Sequence, residues 1–173
     1  GNAWQYNFMV LHDMNGLKKM MGGDKAFSAQ LQKIFDSKQF DMANEPDIAY
    51  PYLFNYVKGE EWKSQEMVKK LVREYFKKEP KGLPGNDDTG TMSAWLVYAM
   101  MGIYPISPGD PVYTITAPMF HRVTIKLDPR YYKKESIVIE RQINNDGKIN
   151  SIELNGKTLN SFFISHEDFV NGT

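Results

Sequence analysis

The residues best suited to chemistry lie in the run Pro84-Gly85-Asn86-Asp87-Asp88-Thr89-Gly90-Thr91, followed by Met92-Ser93-Ala94-Trp95. It places adjacent carboxylates on a glycine-flanked turn directly before an apolar helix. Gly, Asn and Asp serve turn geometry, and Asp or Thr caps the helix that follows. The same pattern also holds a carboxylate rigidly at the floor of a cleft, as a general base requires. Spacing alone leaves both readings open. Three further carboxylates, Asp13, Glu45 and Asp47, share with Asp87 and Asp88 this setting of a polar loop before a helix. Asn44 and Glu45 offer the hard oxygens that suit calcium, with helix capping as the alternative.

Paired carboxylates flanking a bond are the machinery of glycoside hydrolysis, about 6.5–9.5 Å apart when the anomeric centre inverts. Sugar sites also use aromatic platforms, for which Trp4, Tyr6, Trp62 and Trp95 are candidates, although each also suits a core. His12 beside Asp13 offers a substrate-orienting pair or a cap with a neighbouring imidazole.

The elements that must position these groups change character near Pro105. Before it the pattern is helical: Asp13 and Asn15 cap a short helix ended by Gly22-Gly23, and Asp24 caps the next, where Phe27, Leu31 and Ile34 recur at helical spacing. Asn44-Glu45-Pro46 opens a helix with Pro in its first turn, running through Tyr52 and Tyr56, with Pro51 as a kink or a delayed start. Ser64 opens an amphipathic helix whose apolar stripe includes Val68, Leu71 and Val72. Met92 to Met101 is apolar on every side and is predicted to be the most buried helix. A one-sided helix beside an all-apolar one predicts an outer ring packed on an inner ring.

After Pro105, Val112–Thr116, Val123–Leu127, Ser136–Ile143, Ile149–Leu154 and Phe162–Ile164 read as strands, with a hairpin at Asn155-Gly156. The fold class is therefore α+β: helical hairpins of an incomplete (α/α)6 barrel over residues 1–105, then antiparallel, β-sandwich-like strands over 106–173, truncated before a final strand.

Composition removes other functions. Lys plus Arg and Asp plus Glu stand at 21 each, so no bulk field favours nucleic acid or an anionic membrane. The chain has no Cys and three scattered histidines, leaving no thiolate nucleophile and no metal–His cluster. No apolar run is long enough for a membrane span, and no signal-peptide pattern is present. Phosphate loops, His-Glu-x-x-His helices and nucleophile elbows are absent from the sequence.

Four blocks together resemble the calcium-dependent exo-α-mannosidases of glycoside hydrolase family 92. They are Gly1-Asn2-Ala3-Trp4-Gln5-Tyr6 with His12-Asp13; Asn44-Glu45-Pro46 with Pro51-Tyr52-Leu53-Phe54-Asn55-Tyr56; Gly82-Leu83-Pro84-Gly85-Asn86-Asp87-Asp88 with Met92-Ser93-Ala94-Trp95; and Gly102-Ile103-Tyr104-Pro105 with later Leu154-Asn155-Gly156-Lys157. The resemblance spans essentially the whole chain. It implies Asp88 as general base, Asn86 where some members have an assisting Asp, and Asn44 and Glu45 as the calcium stretch. Trp4, His12, Asp13 and Asp87 are implied on the substrate side. The family's general acid is a Glu directly before the first block, so a chain beginning at Gly1 is expected to be a fragment, inactive alone and prone to self-association. Phe40-Asp41 stands where members cutting α-1,2 links carry His-Glu, and Ala49 replaces a common His, so α-1,2 specificity is not implied. The parent is expected to act on α-mannoside glycans outside the cytoplasm. A mannose-binding module and a purely structural piece are the competing functions.

Overall fold

The computed structural model describes residues 1–142 and 148–171 of the 173-residue chain. The chain divides into two compact units, Gly1–Val97 and a second from Tyr98 onward. Helices fill the first and antiparallel strands most of the second, the order that the change in hydrophobic period predicts.

In the first unit, α1 (Ala3–Tyr6) is one turn closed by a reciprocal cap: the Asn2 side chain accepts from Trp4 and Gln5, and Gln5 Oε1 accepts the Asn2 amide at 2.9 Å. Asp13 caps α2 (Met14–Met20) by accepting the Gly16 amide at 2.8 Å. The N-cap of α3 (Asp24–Asp36) is Gly23 and not Asp24, whose carboxylate instead sits 2.9 Å from Lys18 Nζ. α3 buries Phe27, Leu31 and Ile34, the spacing that marked it in the sequence.

The segment expected as a kinked amphipathic helix is a 3₁₀ helix, Tyr50–Tyr56, with every residue but Tyr56 buried. Pro51 lacks the N–H that would continue an α-helical ladder from the preceding turn, so a separate helix starts here. This, and not the helix around Trp95, is the most buried helical element. α4 (Glu61–Tyr75) begins three residues before Ser64, which is itself buried. α5 (Thr91–Met101) buries Met92, Trp95 and Ala99 along one stripe, while Ala94 is exposed and Val97 is 54% exposed. Uniform apolarity had hidden which face finds a partner.

The second unit contains β1 (Ile103–Tyr104), β2 (Val112–Ile115), β3 (Arg122–Lys126), β4 (Ser136–Glu140), β5 (Glu153–Leu154), β6 (Lys157–Thr158) and β7 (Phe163–Ser165). They form three antiparallel sheets, ordered β1-β2-β7, β3-β4 and β5-β6. Asn155 and Gly156 join β5 to β6 at φ 55° and 74°, the doubly left-handed turn that their pairing predicts. Strand β4 ends at Glu140: the expected extension fails at Arg141 and Gln142, and its last residue, Ile143, lies outside the described residues. Ile149–Leu154 contributes only its last two residues to a strand. The described chain ends not in a strand but in α6 (His166–Asn171). Among the described residues no helix is long and apolar enough to cross a membrane.

Candidate functional site

Three loops of the first unit meet around Asn44. The loop Phe40–Asp47 is stitched from within: the Asn44 amide donates to Asp41 O at 3.1 Å, the Asp47 amide to Asn44 O at 3.0 Å, and the Ala43 amide to Asp41 Oδ1 at 2.9 Å. Asn44 is the N-cap residue of a 3₁₀ turn, Glu45–Asp47, yet its side chain makes no capping bond. Its Nδ2 donates instead to Asp47 Oδ1 at 3.4 Å. The capping alternative for Asn44 therefore fails at the side chain.

Gly1 lies against that amide, since a Cβ built on Gly1 would fall 3.2 Å from Asn44 Nδ2. Two further bonds seat the first block on the chain before this loop: Asn2 Nδ2 donates to Gln39 Oε1 at 3.0 Å, and Gln5 Nε2 to Gln39 O at 3.3 Å. Tyr50 ties α1 down from beneath. Its hydroxyl donates to Gln5 O at 2.5 Å and accepts the Phe8 amide at 2.9 Å. Burial pushes that hydroxyl's pKa well above the usual tyrosine range.

The third loop arrives through Gly85. Its φ is 69°, and a Cβ there would sit 2.7 Å from Ala43 Cβ, so any side chain would push the turn off the calcium-candidate loop. Beyond it, the two acids of the turn separate in role. Asp87 Oδ1 accepts the Ser93 amide at 2.9 Å and Oδ2 accepts the Ser93 hydroxyl, and these bonds hold its carboxyl below the usual range. Asp87 thereby caps α5. The Asp88 carboxylate is exposed and makes no hydrogen bond with the described residues. Its carbonyl accepts the Thr91 hydroxyl at 2.7 Å. Asn86 is likewise exposed. Thr89, the next residue, is held at φ 53°, ψ 21°, a left-handed conformation costly for a β-branched side chain. Backbone strain thus sits beside the free acid.

The residue that sequence reasoning underused is Asp47. It is fully buried. Oδ2 accepts the Asp41 amide at 2.8 Å while Oδ1 receives Asn44. Burial raises its pKa from 3.8 to about 6 against the lowering effect of those bonds.

The remaining candidates are spread more widely. Trp4 is half-buried with Lys33 Nζ 5.0 Å from its ring centroid. Tyr6 and Trp62 are exposed, and His12 is exposed beside the capping Asp13. Trp95 is core: 1% exposed, stacked on Phe76 at 5.5 Å, its indole N–H donating to Ile48 O at 2.8 Å. It is no sugar platform. In the second unit both ring nitrogens of His166 face tyrosine hydroxyls, Tyr113 at 2.9 Å and Tyr132 at 3.2 Å. No group of three His, Cys, Asp or Glu side chains among the described residues is arranged for a metal. Asn44 and Glu45 are hard-oxygen donors, right in kind for calcium but too few for its six to eight ligands, so backbone carbonyls, water and substrate would supply the rest.

An unbonded carboxylate on a strained turn, next to an oxygen-rich loop, is the kind of arrangement that acid–base hydrolases use. The chain belongs to glycosyl hydrolase family 92: the family's catalytic-domain model matches residues 1–173. It is 36% identical over 98% of its length to an uncharacterised secreted glycosidase of Arthroderma benhamiae, covering 22% of that protein. It also superposes on a family 92 α-mannosidase from Bacteroides thetaiotaomicron with TM-score 0.85 and 26% identity, covering 98% of this chain and 23% of that one. A family 92 inverting mannosidase from the same organism gives TM-score 0.85 and 27% identity, covering 99% of this chain and 26% of that one. The chain therefore spans about a quarter of the length of these relatives.

Proposed function

We propose that the chain is the base-bearing part of an exo-α-mannosidase that hydrolyses terminal α-mannosides with inversion. The observation that carries this reading is the meeting of Gly1, Asn44 and the Gly85 turn in one unit, because these belong to three separate sequence blocks. Asp88 is assigned as general base: exposed and free of hydrogen bonds to the described residues, it is open to a water on the sugar face opposite the leaving oxygen. Asn86 is assigned an orienting role on the same turn. The family resemblance assigns the general acid to a Glu directly before the Gly-Asn-Ala-Trp-Gln-Tyr block, whose Gly1 lies against Asn44.

Asn44 and Glu45 are assigned to calcium, which when bound would hold sugar hydroxyls and favour a distorted ring. Trp4 and His12 are assigned to the sugar side. Asp13 and Asp87 keep lone pairs free beside their capping bonds and are placed there second to that duty. The helices are assigned to the later part of an (α/α)6 barrel, and the exposed Ala94 and Val97 of α5 support further apolar partners or self-association of the isolated chain. An address outside the cytoplasm is supported by the secreted relative.

The test is release of the aryl alcohol from an aryl α-mannoside by the full-length enzyme and by this chain alone, each with calcium and with chelator. Calcium-dependent turnover by the full-length enzyme only is expected. Sugar binding without turnover in the full-length protein would instead make it a binding module.

A further inference from the structure

We propose that Asp47 is the positioning residue of this site, fixing the Asn44 amide so that its Nδ2 points inward and its Oδ1 is left as the outward oxygen ligand. This inference rests on the calcium assignment above. The chemistry is one of donors and acceptors. A carboxylate only accepts, so an amide facing it must present its N–H side. Oδ1 of Asp47 receives Asn44 Nδ2 at 3.4 Å, while Oδ2 is held by the Asp41 amide at 2.8 Å. The carboxylate cannot turn away without abandoning the Asp41 amide.

Burial makes the constraint strong. Asp47 has no exposed surface, so water cannot stand in for either bond. The same side chain therefore sets two things: the orientation of Asn44, and the path of the Phe40–Asp41 backbone on the other side of the loop. Neither the sequence motif nor the resemblance assigns it a role. Asn at this position would be isosteric, but the Asp41 amide would hold its oxygen, so its Nδ2 would face Asn44 and turn the Asn44 oxygen inward.

The experiment is a double-mutant cycle in the full-length enzyme, with calcium affinity by titration calorimetry as one readout and kcat/KM on an aryl α-mannoside as the other. D47N is expected to weaken calcium roughly 10–100-fold, the usual range when a ligand's supporting partner is changed. In an N44A background, D47N should cost little more, because its effect passes through Asn44. The swap N44D/D47N restores one acceptor facing one donor and should recover most of the affinity. It also serves as the folded control if D47N unfolds.

Wild-type calcium affinity in D47N would overturn the proposal, as would losses that simply add in the double variant. If calcium binds as expected but no mannoside is released, the catalytic reading falls and the calorimetric cycle still decides Asp47. If the wild-type enzyme turns over the mannoside without binding calcium, the proposal falls with the calcium assignment while the catalytic reading stands. An enzyme that does neither overturns both.

Discussion

The Phe40–Asp47 loop and the Pro84–Thr91 turn each carry two aspartates, and they use them in opposite ways. In the first, the acid is turned inward: Asp47 is fully buried and organises its own loop. In the second, both acids are exposed; Asp87 is spent on the helix start and Asp88 is left unbonded to the described residues. An inward acid is tuned by desolvation toward protonation, an outward one by hydrogen bonds toward ionisation. A binding loop gains from the first arrangement, since fixed ligands need internal support. A base gains from the second, since it must reach water.

The largest expected effect separates the two outward acids. D88N keeps the shape and removes the base, so in the full-length enzyme kcat should fall by roughly 10²–10⁴-fold. D87N should be far milder, because its amide oxygen still accepts the Ser93 N–H. A steady-state assay of both variants decides the register: loss with D87N and wild-type kcat with D88N would move the base one residue earlier, and full activity in both would reduce the turn to a helix cap.

Next comes the loop with the inward acid. E45Q keeps the loop, since Glu45 is exposed and its side chain is not part of the stitching bonds. It should raise the calcium needed for half-maximal activity by about tenfold while leaving Tm unchanged in chelator. A calcium titration of activity reads this, and an unchanged requirement would detach Glu45 from the metal.

These contrasts were unequally legible in the sequence. The turn at Gly85, the capping Asp13 and the Asn155-Gly156 hairpin follow from local backbone needs, so residue type and order suffice. Burial of Asp47 is not local: it depends on Asp41 six residues back and on the elements around it, and a loop aspartate ordinarily faces water. Trp95 is ambiguous for the same reason, because the carbonyl that satisfies its indole belongs to Ile48. The all-apolar α5 gave no phase, so only packing could choose its buried stripe. Helix α6 was readable and was missed: Ser165 and Asp168 form the Ser-x-x-acid capping pattern, with the Asp168 amide donating to Ser165 Oγ at 3.0 Å.

A smaller effect concerns the strain beside Asp88. Glycine adopts the φ 53° conformation of Thr89 without steric cost, but it also enlarges the unfolded ensemble, so T89G should change stability by no more than about 1 kcal/mol in either direction. Its consequence should be kinetic. A looser turn holds Asp88 less firmly, and kcat should drop a few-fold with KM unchanged. A wild-type kcat at unchanged stability would show that the strain is incidental to the base.

The smallest expected effect is on the pH dependence of stability, and it tests whether Asp87 is the cap. The bonds from Ser93 lower its pKa in the folded state relative to the ordinary 3.8, so the folded form binds its proton less readily than the unfolded form. The stabilisation is therefore complete above the ordinary aspartate value and is lost as pH falls through the depressed one. Asn at this position keeps the backbone acceptor but offers no second oxygen to the Ser93 hydroxyl, and it has no proton to gain. At neutral pH, D87N should accordingly melt slightly below wild type. The gap should shrink steadily once the pH drops below about 4 and vanish when the wild-type carboxyl is protonated. Thermal unfolding of the two proteins between pH 7 and pH 2.5 measures it. A gap that stays constant across that range would mean the ionised carboxylate contributes nothing to holding α5, leaving Asp87 as free as its neighbour and dissolving the division of labour within the turn.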